Sequence, residues 1–166
     1  SVGVGTAMHL VGEWIMAEGG GAATHVPFKG GAAPLTELLA GRVDVMIDTM
    51  TSTAPLLKEK RVRVLAVTSP KGANNPPGVP SVAEFYPPVV FESWLGIAAP
   101  TGTPPAIVAR LNKELRAVVA QPEIRQQLLD WGGTPQAGSP AEFQARVERD
   151  IQSLRKVVAD RRIETE

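Results

Sequence analysis

The sequence predicts an α/β fold, because short apolar segments alternate with amphipathic segments along its first half. Three turns rich in glycine or threonine each lead into a predicted helix, at residues 1–9, 28–34 and 43–50. The second and third turns follow short β-branched, apolar runs, which favour strands. In an α/β domain such turns gather at the carboxyl edge of the sheet, where helix N-termini present unpaired N–H groups and partial positive charge. The three turns therefore predict a site for a small anion.

Helices and strands are expected to alternate as far as residue 68. Apolar residues recur at helical spacing in three segments, and these predicted helices cover residues 6–17, 34–40 and 53–59. Four segments are short, apolar and rich in β-branched residues, and these predicted strands cover residues 24–28, 43–47, 62–68 and 91–99. The third strand is almost wholly apolar, as in a parallel strand that is covered on both faces.

The rest of the chain is predicted to be a proline-rich excursion followed by helices. Residues 70–90 contain six prolines and read as a surface excursion or an interdomain connection, with a capping box from Ser81 to Glu84. Thr103 is expected to cap a helix that begins at Pro104, and Pro122 to open a second helix. A second capping box, Ser139 to Glu142, opens the last helix. Four strands are fewer than a Rossmann-like sheet contains, which predicts an incomplete version of the fold.

Composition argues against several classes of function. Lysine plus arginine equals aspartate plus glutamate at 17 each, so the net charge is zero and a nucleic-acid partner is not expected. There is no cysteine, which removes thiolate catalysis and cysteine zinc sites. Met8 stands where a dinucleotide fingerprint would need its third glycine, and His9 and His25 lack metal-ligand spacing. Neither a cofactor nor a metal ion is expected.

The first turn contributes the candidate ligand residues Gly3, Gly5, Thr6 and His9. In the functional interpretation, Thr6 caps the helix and the nearby amides face an anion, while His9 contacts a carboxylate or supports the turn. The alternative is an ordinary strand-to-helix turn with a helix histidine. Ser52, His9 and Asp48 offer the residue types of a hydrolytic triad, but no nucleophile-elbow motif supports them.

The remaining candidates belong to later turns and to the segment that follows the proline-rich excursion. Lys29 and Gly30 follow a predicted strand and are either a ligand contact or a solvated loop. Asp48 and Thr49 end another strand and either contact a ligand or cap the next helix. Ser93 and Trp94 follow the probable crossing between domains, and clefts between domains favour ligands.

Six stretches of this chain resemble, in order, the substrate-binding receptors of tripartite tricarboxylate transporters, the TctC or Bug family of periplasmic proteins. Two of them are Gly3-Val-Gly-Thr-Ala-Met-His-Leu10 and His25-Val-Pro-Phe-Lys-Gly-Gly-Ala-Ala-Pro34. The others cover residues 38–48, 64–69, 80–84 and 93–104. The resemblance implies a periplasmic-binding-protein fold, type II-like, with two α/β domains and a ligand cleft between them. Gly5, Thr6, His9, Lys29, Gly30 and Asp48 match the family's ligand-binding turns by position.

The resemblance also implies a domain assignment and a function. Residues 1–90 would be the second, ligand-binding domain without its first strand and helix. Residues 91–166 would be the crossover strand and the helices that return to the first domain, whose sheet is largely missing. A periplasmic receptor would capture a di- or tricarboxylate, an acidic amino acid or an aromatic acid for membrane transporter subunits, without chemistry. The alternatives are an interaction module, completed by a second copy or by the missing N-terminal segment, and an α/β hydrolytic enzyme.

Overall fold

The computed structural model describes residues 1–72, 75–161 and 163. These residues form six α-helices: α1 (Ala7–Glu18), α2 (Ala32–Leu39), α3 (Met50–Lys58), α4 (Pro105–Ala120), α5 (Pro122–Asp130) and α6 (Pro140–Arg161). A short 3-10 helix, Val82–Glu84, lies in the proline-rich segment. All six α-helices were expected, and the predicted ends differ from the observed ones by at most three residues. No helix in the described part of the chain is long and apolar enough to cross a membrane.

Helix α1 forms where the sequence predicts it, because a cap and an apolar stripe agree. Thr6 is the N-cap, and its Oγ1 accepts a hydrogen bond from the N–H of His9 at 3.4 Å. Gly19 ends the helix. The helix buries Leu10 and Val11, which are 7% and 1% exposed, so this stripe lies in the core.

Helices α2 and α3 begin two and three residues earlier than predicted. Gly31 is the N-cap of α2, and Thr49 is the N-cap of α3 with its Oγ1 accepting from the N–H of Ser52. Apolar spacing reports only the turns that reach the core, so it does not register a polar or alanine-rich first turn. The capping residue therefore marks the start of each helix better than the apolar pattern.

The four predicted strands are wrong as regular elements, since no strand is present among the described residues. The segments make isolated backbone pairs instead. The amine of Ser1 donates a hydrogen bond to the carbonyl of Val26, and the N–H of Phe28 donates one to the carbonyl of Ser1, both at 3.0 Å. The N–H of Phe91 donates to the carbonyl of Thr68. Val67 and Ser81 form a single parallel bridge. A strand needs a ladder of backbone hydrogen bonds to an adjacent strand, and a β-branched composition does not determine which segment becomes adjacent.

Helix α4 begins at Pro105 with Pro104 as its N-cap, so the prediction that Thr103 caps a helix starting at Pro104 is wrong. The Thr103 hydroxyl donates to the carbonyl of Pro100 at 2.8 Å, and no N–H of the first turn of α4 donates to it. Both capping boxes are confirmed. The Ser139 hydroxyl accepts from the N–H of Glu142 at 3.2 Å, and the Glu142 carboxylate accepts from the N–H of Ser139 at 2.7 Å.

The core lies around α1, α3 and the segment that follows the 3-10 helix. The buried apolar residues are Leu10, Val11, Leu56, Val82, Val89, Phe91 and Val157. Only Val157 comes from the last three helices, through the packing of α6 on α1. The chain exposes 11654 Å², whereas a compact monomer of its mass exposes about 7,900 Å². A large apolar area of the described structure is therefore uncovered.

Exposed large apolar side chains occur along most of the described chain, and several of them belong to residues 91–99 and to α4. We call Leu95, Ile97, Ile107, Leu111 and Val118 the exposed apolar set; their exposed fractions run from 45% to 103%. The last three of these lie at helical spacing on one side of α4. A stripe of this kind is typical of a helix face that packs against another surface.

Candidate functional site

The turn before α1 is held by hydrogen bonds within a few residues. Thr6 Oγ1 donates to the carbonyl of Gly3 at 2.8 Å, and Gly5 has a φ of 72°, a conformation that glycine adopts at little cost. None of the described residues offers an acceptor to the N–H groups of Ala7 and Met8. These two donors point along the start of the helix and carry its partial positive charge. The turn therefore has the donors that an anion would accept from.

His9 lies beneath this turn and supports it. It is 8% exposed, and its Nδ1 accepts a hydrogen bond from the N–H of Gly5 at 3.1 Å. The Gly5 donor is consequently occupied within the protein. The ring of His9 stacks on that of His25, with 3.8 Å between the centroids and 14° between the planes. Of the two roles open to His9 in the sequence, this geometry favours support of the turn.

His25 joins the second loop to the first turn. Its Nε2 lies 2.7 Å from Ser1 Oγ, and the backbone of residue 1 is bonded to Val26 and Phe28. Burial lowers the pKa of His25, and the neighbouring charges of His9 and the Ser1 amine act in the same direction, while Glu13 opposes them. The loop that follows Phe28 is thereby brought beside the Gly3–Thr6 turn.

The second loop leads into the uncapped N-terminus of α2. Lys29 is exposed, Gly30 has a φ of 93°, and the N-cap Gly31 provides no side-chain acceptor. In the described part of the chain, no acceptor meets the N–H groups of Ala32 and Ala33. The third helical residue is the buried Pro34, which has no N–H. Lys29 and two free amides thus lie at the start of α2, in the segment that follows the pairing of Phe28 with residue 1.

Asp48 and Thr49 form the start of α3. Asp48 is half-buried, and its Oδ1 accepts from the N–H of Thr49 at 2.7 Å. A β-carbon built on Gly12 would lie 3.0 Å from Ile47 Cδ1, so the segment before Asp48 packs directly on α1. Ser52 Oγ donates to the carbonyl of Thr49. His9 and Ser52 share no hydrogen bond, and the residue types of the triad are not assembled.

Ser93 and Trp94 lie on the other side of the first turn of α1. They line an open groove of about 530 Å³ that also includes Ala7, Leu10 and Phe91. Its far wall is the apolar face of α6, formed mainly by Val147, Ile151, Leu154 and Val158.

Trp94 Nε1 donates to Asp150 Oδ2 at 2.7 Å, and its ring meets Phe143 edge-on at 4.8 Å. These contacts bind Trp94 to α6.

Three residues of this arrangement were not identified from the sequence. They are His25, which stacks on His9, and the ion pair of Glu13 with Arg161, whose guanidinium nitrogens lie 3.0 and 3.2 Å from the carboxylate. The chain has two histidines, and both flank glycine-rich turns of the same predicted sheet edge. That placement was the available signal for their contact. Nothing in the sequence indicates that Arg161 meets Glu13.

Solved structures show the class of protein to which this fold belongs. The chain matches Rpa4515 of R. palustris with adipate at a TM-score of 0.84 and 35% identity, over 93% of this chain and 52% of that one. It matches the periplasmic binding protein BugD at 0.84 and 29%, over 98% and 55%. MatC (Rpa3494) from Rhodopseudomonas palustris with bound malate gives 0.81 and 28%, over 93% and 54%. The fold is that of a periplasmic binding protein, as predicted.

The family is shown by a second comparison. The model of the tripartite tricarboxylate transporter family receptor, TctC, matches residues 1–162. The chain is 34% identical to the UPF0065 protein in the tcbD-tcbE intergenic region of Pseudomonas sp. (strain P51), over 98% of this chain and 49% of that protein. It is 32% identical to the UPF0065 protein in the clcB-clcD intergenic region of Pseudomonas knackmussii, over 98% of each. The chain belongs to the TctC receptor family.

Family membership decides one of the alternatives. Members of this family are periplasmic solute-binding receptors and not enzymes, which rules out the hydrolytic enzyme considered from the sequence. The chain spans about half the length of the three solved structures and of the strain P51 relative, and nearly the full length of the Pseudomonas knackmussii relative.

Proposed function

We propose that this chain binds a small carboxylate at the turns before α1 and α2 and serves an extracytoplasmic receptor of a tripartite tricarboxylate-type transporter. The observation that supports this most is the pairing of residue 1 with Val26 and Phe28, which ties the segment before α2 to the turn before α1. Each of these helices begins with two amides that meet no acceptor among the described residues, and such donors favour an anion.

The side chains around these amides agree with a carboxylate ligand. Lys29 is an exposed cation in the loop before α2, and the Thr6 hydroxyl, which donates to the carbonyl of Gly3, holds the other turn in shape. Asp48 would repel a carboxylate. We therefore propose that it accepts a hydrogen bond from a hydroxyl group of the ligand or from a water molecule that bridges to the ligand. Two structural neighbours contain adipate and malate, which are dicarboxylates. A dicarboxylate is therefore the first ligand class to test, ahead of tricarboxylates, acidic amino acids and aromatic acids.

Closure on the ligand is proposed to occur near residues 88–94, between the 1–90 and 91–166 parts of the chain. Pro87 and Pro88 interrupt the backbone there. Ser93 and Trp94 then reach the first turn of α1, with Trp94 fixed to Asp150. A hinge at this place would bring α6 and the two turns together around the ligand. The partners that follow from the family are the membrane subunits of the transporter.

Calorimetric titration with adipate and malate tests the proposal. We expect saturable binding, no chemical change in either acid, and no binding of the uncharged adipamide. Lys29→Met should weaken binding about tenfold, the effect of one charge-assisted hydrogen bond of about 1.5 kcal/mol. The matched control is Lys113→Met, which removes an exposed lysine of α4. Absence of binding by every acid of a broad panel, or turnover of any of them, would refute the proposal.

A second candidate function is supported by the exposed apolar set. The surface of 11654 Å² exceeds that of a compact monomer of this mass by about 3,700 Å², an area typical of an obligate interface. We propose that another polypeptide surface covers this face, either the part of the chain by which most relatives are longer or a second copy. Light scattering on the purified chain tests this. A strict monomer that binds dicarboxylates normally would contradict it.

A further inference from the structure

We propose that His9 is a positioning residue for the turn before α1, and that protonation of the stacked imidazoles of His9 and His25 releases this turn, so that carboxylate binding weakens in acid. This inference rests on the proposed carboxylate site and adds its pH regulation. His9 acts through Gly5 and not by touching the ligand.

The hydrogen bond from Gly5 requires a neutral His9. An imidazole nitrogen that accepts a hydrogen bond carries no proton, so His9 Nδ1 is unprotonated and Nε2 carries the hydrogen. Adding a proton to Nδ1 would place one N–H against another. Gly5 would then lose the hydrogen bond that holds it in its left-handed backbone conformation, and the Gly3–Thr6 turn would be free to rearrange.

The second ring opposes a charge on the first. Two imidazolium rings at 3.8 Å in near-parallel planes repel each other, whereas two neutral rings stack favourably. Burial lowers the pKa of His25, and its Nε2 is already in contact with Ser1 Oγ at 2.7 Å. The geometry of the pair thus opposes a charge on both rings at once.

The carboxylate that faces the pair is shared with an arginine. Glu13 Oε1 of α1 lies 4.0 Å from His9 Nε2, and Arg161 of α6 binds Oε2 of the same carboxylate at 3.0 Å. The Ser1 amine faces the pair from the first segment and donates to the carbonyl of Val26. Asp150 and Arg155 of α6 line the groove beside Ala7 and Leu10. A proton added to the pair is therefore compensated only in part, because Arg161 already neutralises the charge of Glu13.

The test follows the histidine rings and the Gly5 amide by NMR in the ligand-free chain. At about pH 8 we expect the His9 ring in the form protonated at Nε2, with Nδ1 unprotonated. As the pH falls to about 5.5, the Gly5 amide resonance should move together with the His9 ring signals. A Gly5 amide that does not follow His9 would overturn the proposal. This part needs no ligand, so it is decided even if the proposed carboxylate function fails.

Binding measurements with adipate complete the test. For the wild type we expect affinity to fall about tenfold between pH 8 and pH 5.5, as when one group differs by one pKa unit between free and bound states. His9→Asn keeps an acceptor near the Nδ1 position but cannot titrate, so its affinity should change much less. Any loss due to protonation of adipate itself appears equally in both proteins. An unchanged pH profile in His9→Asn would overturn the proposal.

A second variant covers the case in which His9→Asn fails to fold. His25→Phe keeps a ring stacked on His9 and removes the repelling charge. The pH at which the Gly5 amide moves should then rise relative to the wild type, because His9 can be protonated without a charged neighbour. An unmoved midpoint would show that the two rings do not act as a pair and would contradict the proposal.

Discussion

The part of the chain around α1–α3 and the part formed by α4–α6 use similar sequence signals with different results. Both contain caps and apolar residues at helical spacing. The first part and its following segment contribute six of the seven buried apolar residues, whereas α4 and α5 contribute none. Local pattern and caps are therefore enough to form a helix, but burial of its apolar face depends on the surface that is available to cover it.

The sharpest way to test this contrast is to truncate one leucine in each part. Leu10→Ala removes a side chain that is 7% exposed and should lower the free energy of unfolding by about 2–5 kcal/mol. Leu111→Ala removes one that is 48% exposed and should change it by less than about 0.5 kcal/mol. Urea denaturation measures both. Equal losses would mean that α4 is covered in solution and would break the comparison.

The two capping boxes allow a finer test of the same contrast. Ser81 is 0% exposed, and its hydroxyl donates to the carbonyl of Ser69 and accepts from the N–H of Ala83. Ser81→Ala leaves both partners unsatisfied and should cost about 1–3 kcal/mol. Ser139→Ala opens the partly exposed start of α6 to water and should cost about 0.5–1 kcal/mol.

Thermal unfolding of the two serine variants measures this difference. Both variants replace the serine of a capping box by alanine, so any difference in the stability lost reports the surroundings of the two serines. A larger cost at Ser139 than at Ser81 would show that the start of α6 is the better protected of the two.

The smallest expected effect is a pH dependence at α6. Hydrogen bonds from the backbone N–H and the hydroxyl of Ser139 lower the pKa of Glu142 below its ordinary value of 4.5. A carboxylate with a lowered folded pKa stabilises the fold above that ordinary value, and this stabilisation is lost as the pH falls through the folded pKa. Wild type and Glu142→Gln should thus differ at about pH 6 and converge towards about pH 3. A constant difference at every pH would contradict this assignment.

The helices could be predicted because their determinants are local. Thr6, Ser81 and Ser139 mark starts within three residues of their partners, and proline fixes the openings of α4 and α5. The strands could not be predicted as regular elements, since a ladder depends on which segments become neighbours. Val67 meets Ser81, and Thr68 meets Phe91, across distances in sequence that composition does not encode.

The arrangement of the turns was predictable only in part. The segment that leads to Lys29 and Gly30 is tied to the turn before α1 by the pairing of Phe28 with residue 1, but no sheet edge holds them, since no strand is present among the described residues. The roles of single residues were less accessible. His9 serves Gly5 because His25 stacks on it, and Trp94 is bound to Asp150, 56 residues away. Such partners are chosen by tertiary packing, which the local pattern does not contain.

The exposed apolar side chains of residues 91–99 and α4 also affect the heat capacity of unfolding. A compact chain of this length gains about 2.0–2.5 kcal/mol/K in heat capacity when it unfolds, mostly from apolar surface that becomes hydrated. Here Leu95, Ile97 and Leu111 are already hydrated in the native state. The chain should therefore show a smaller heat-capacity increment and a flatter stability curve. Any surface that covers these side chains would steepen that curve and raise the denaturation temperature together.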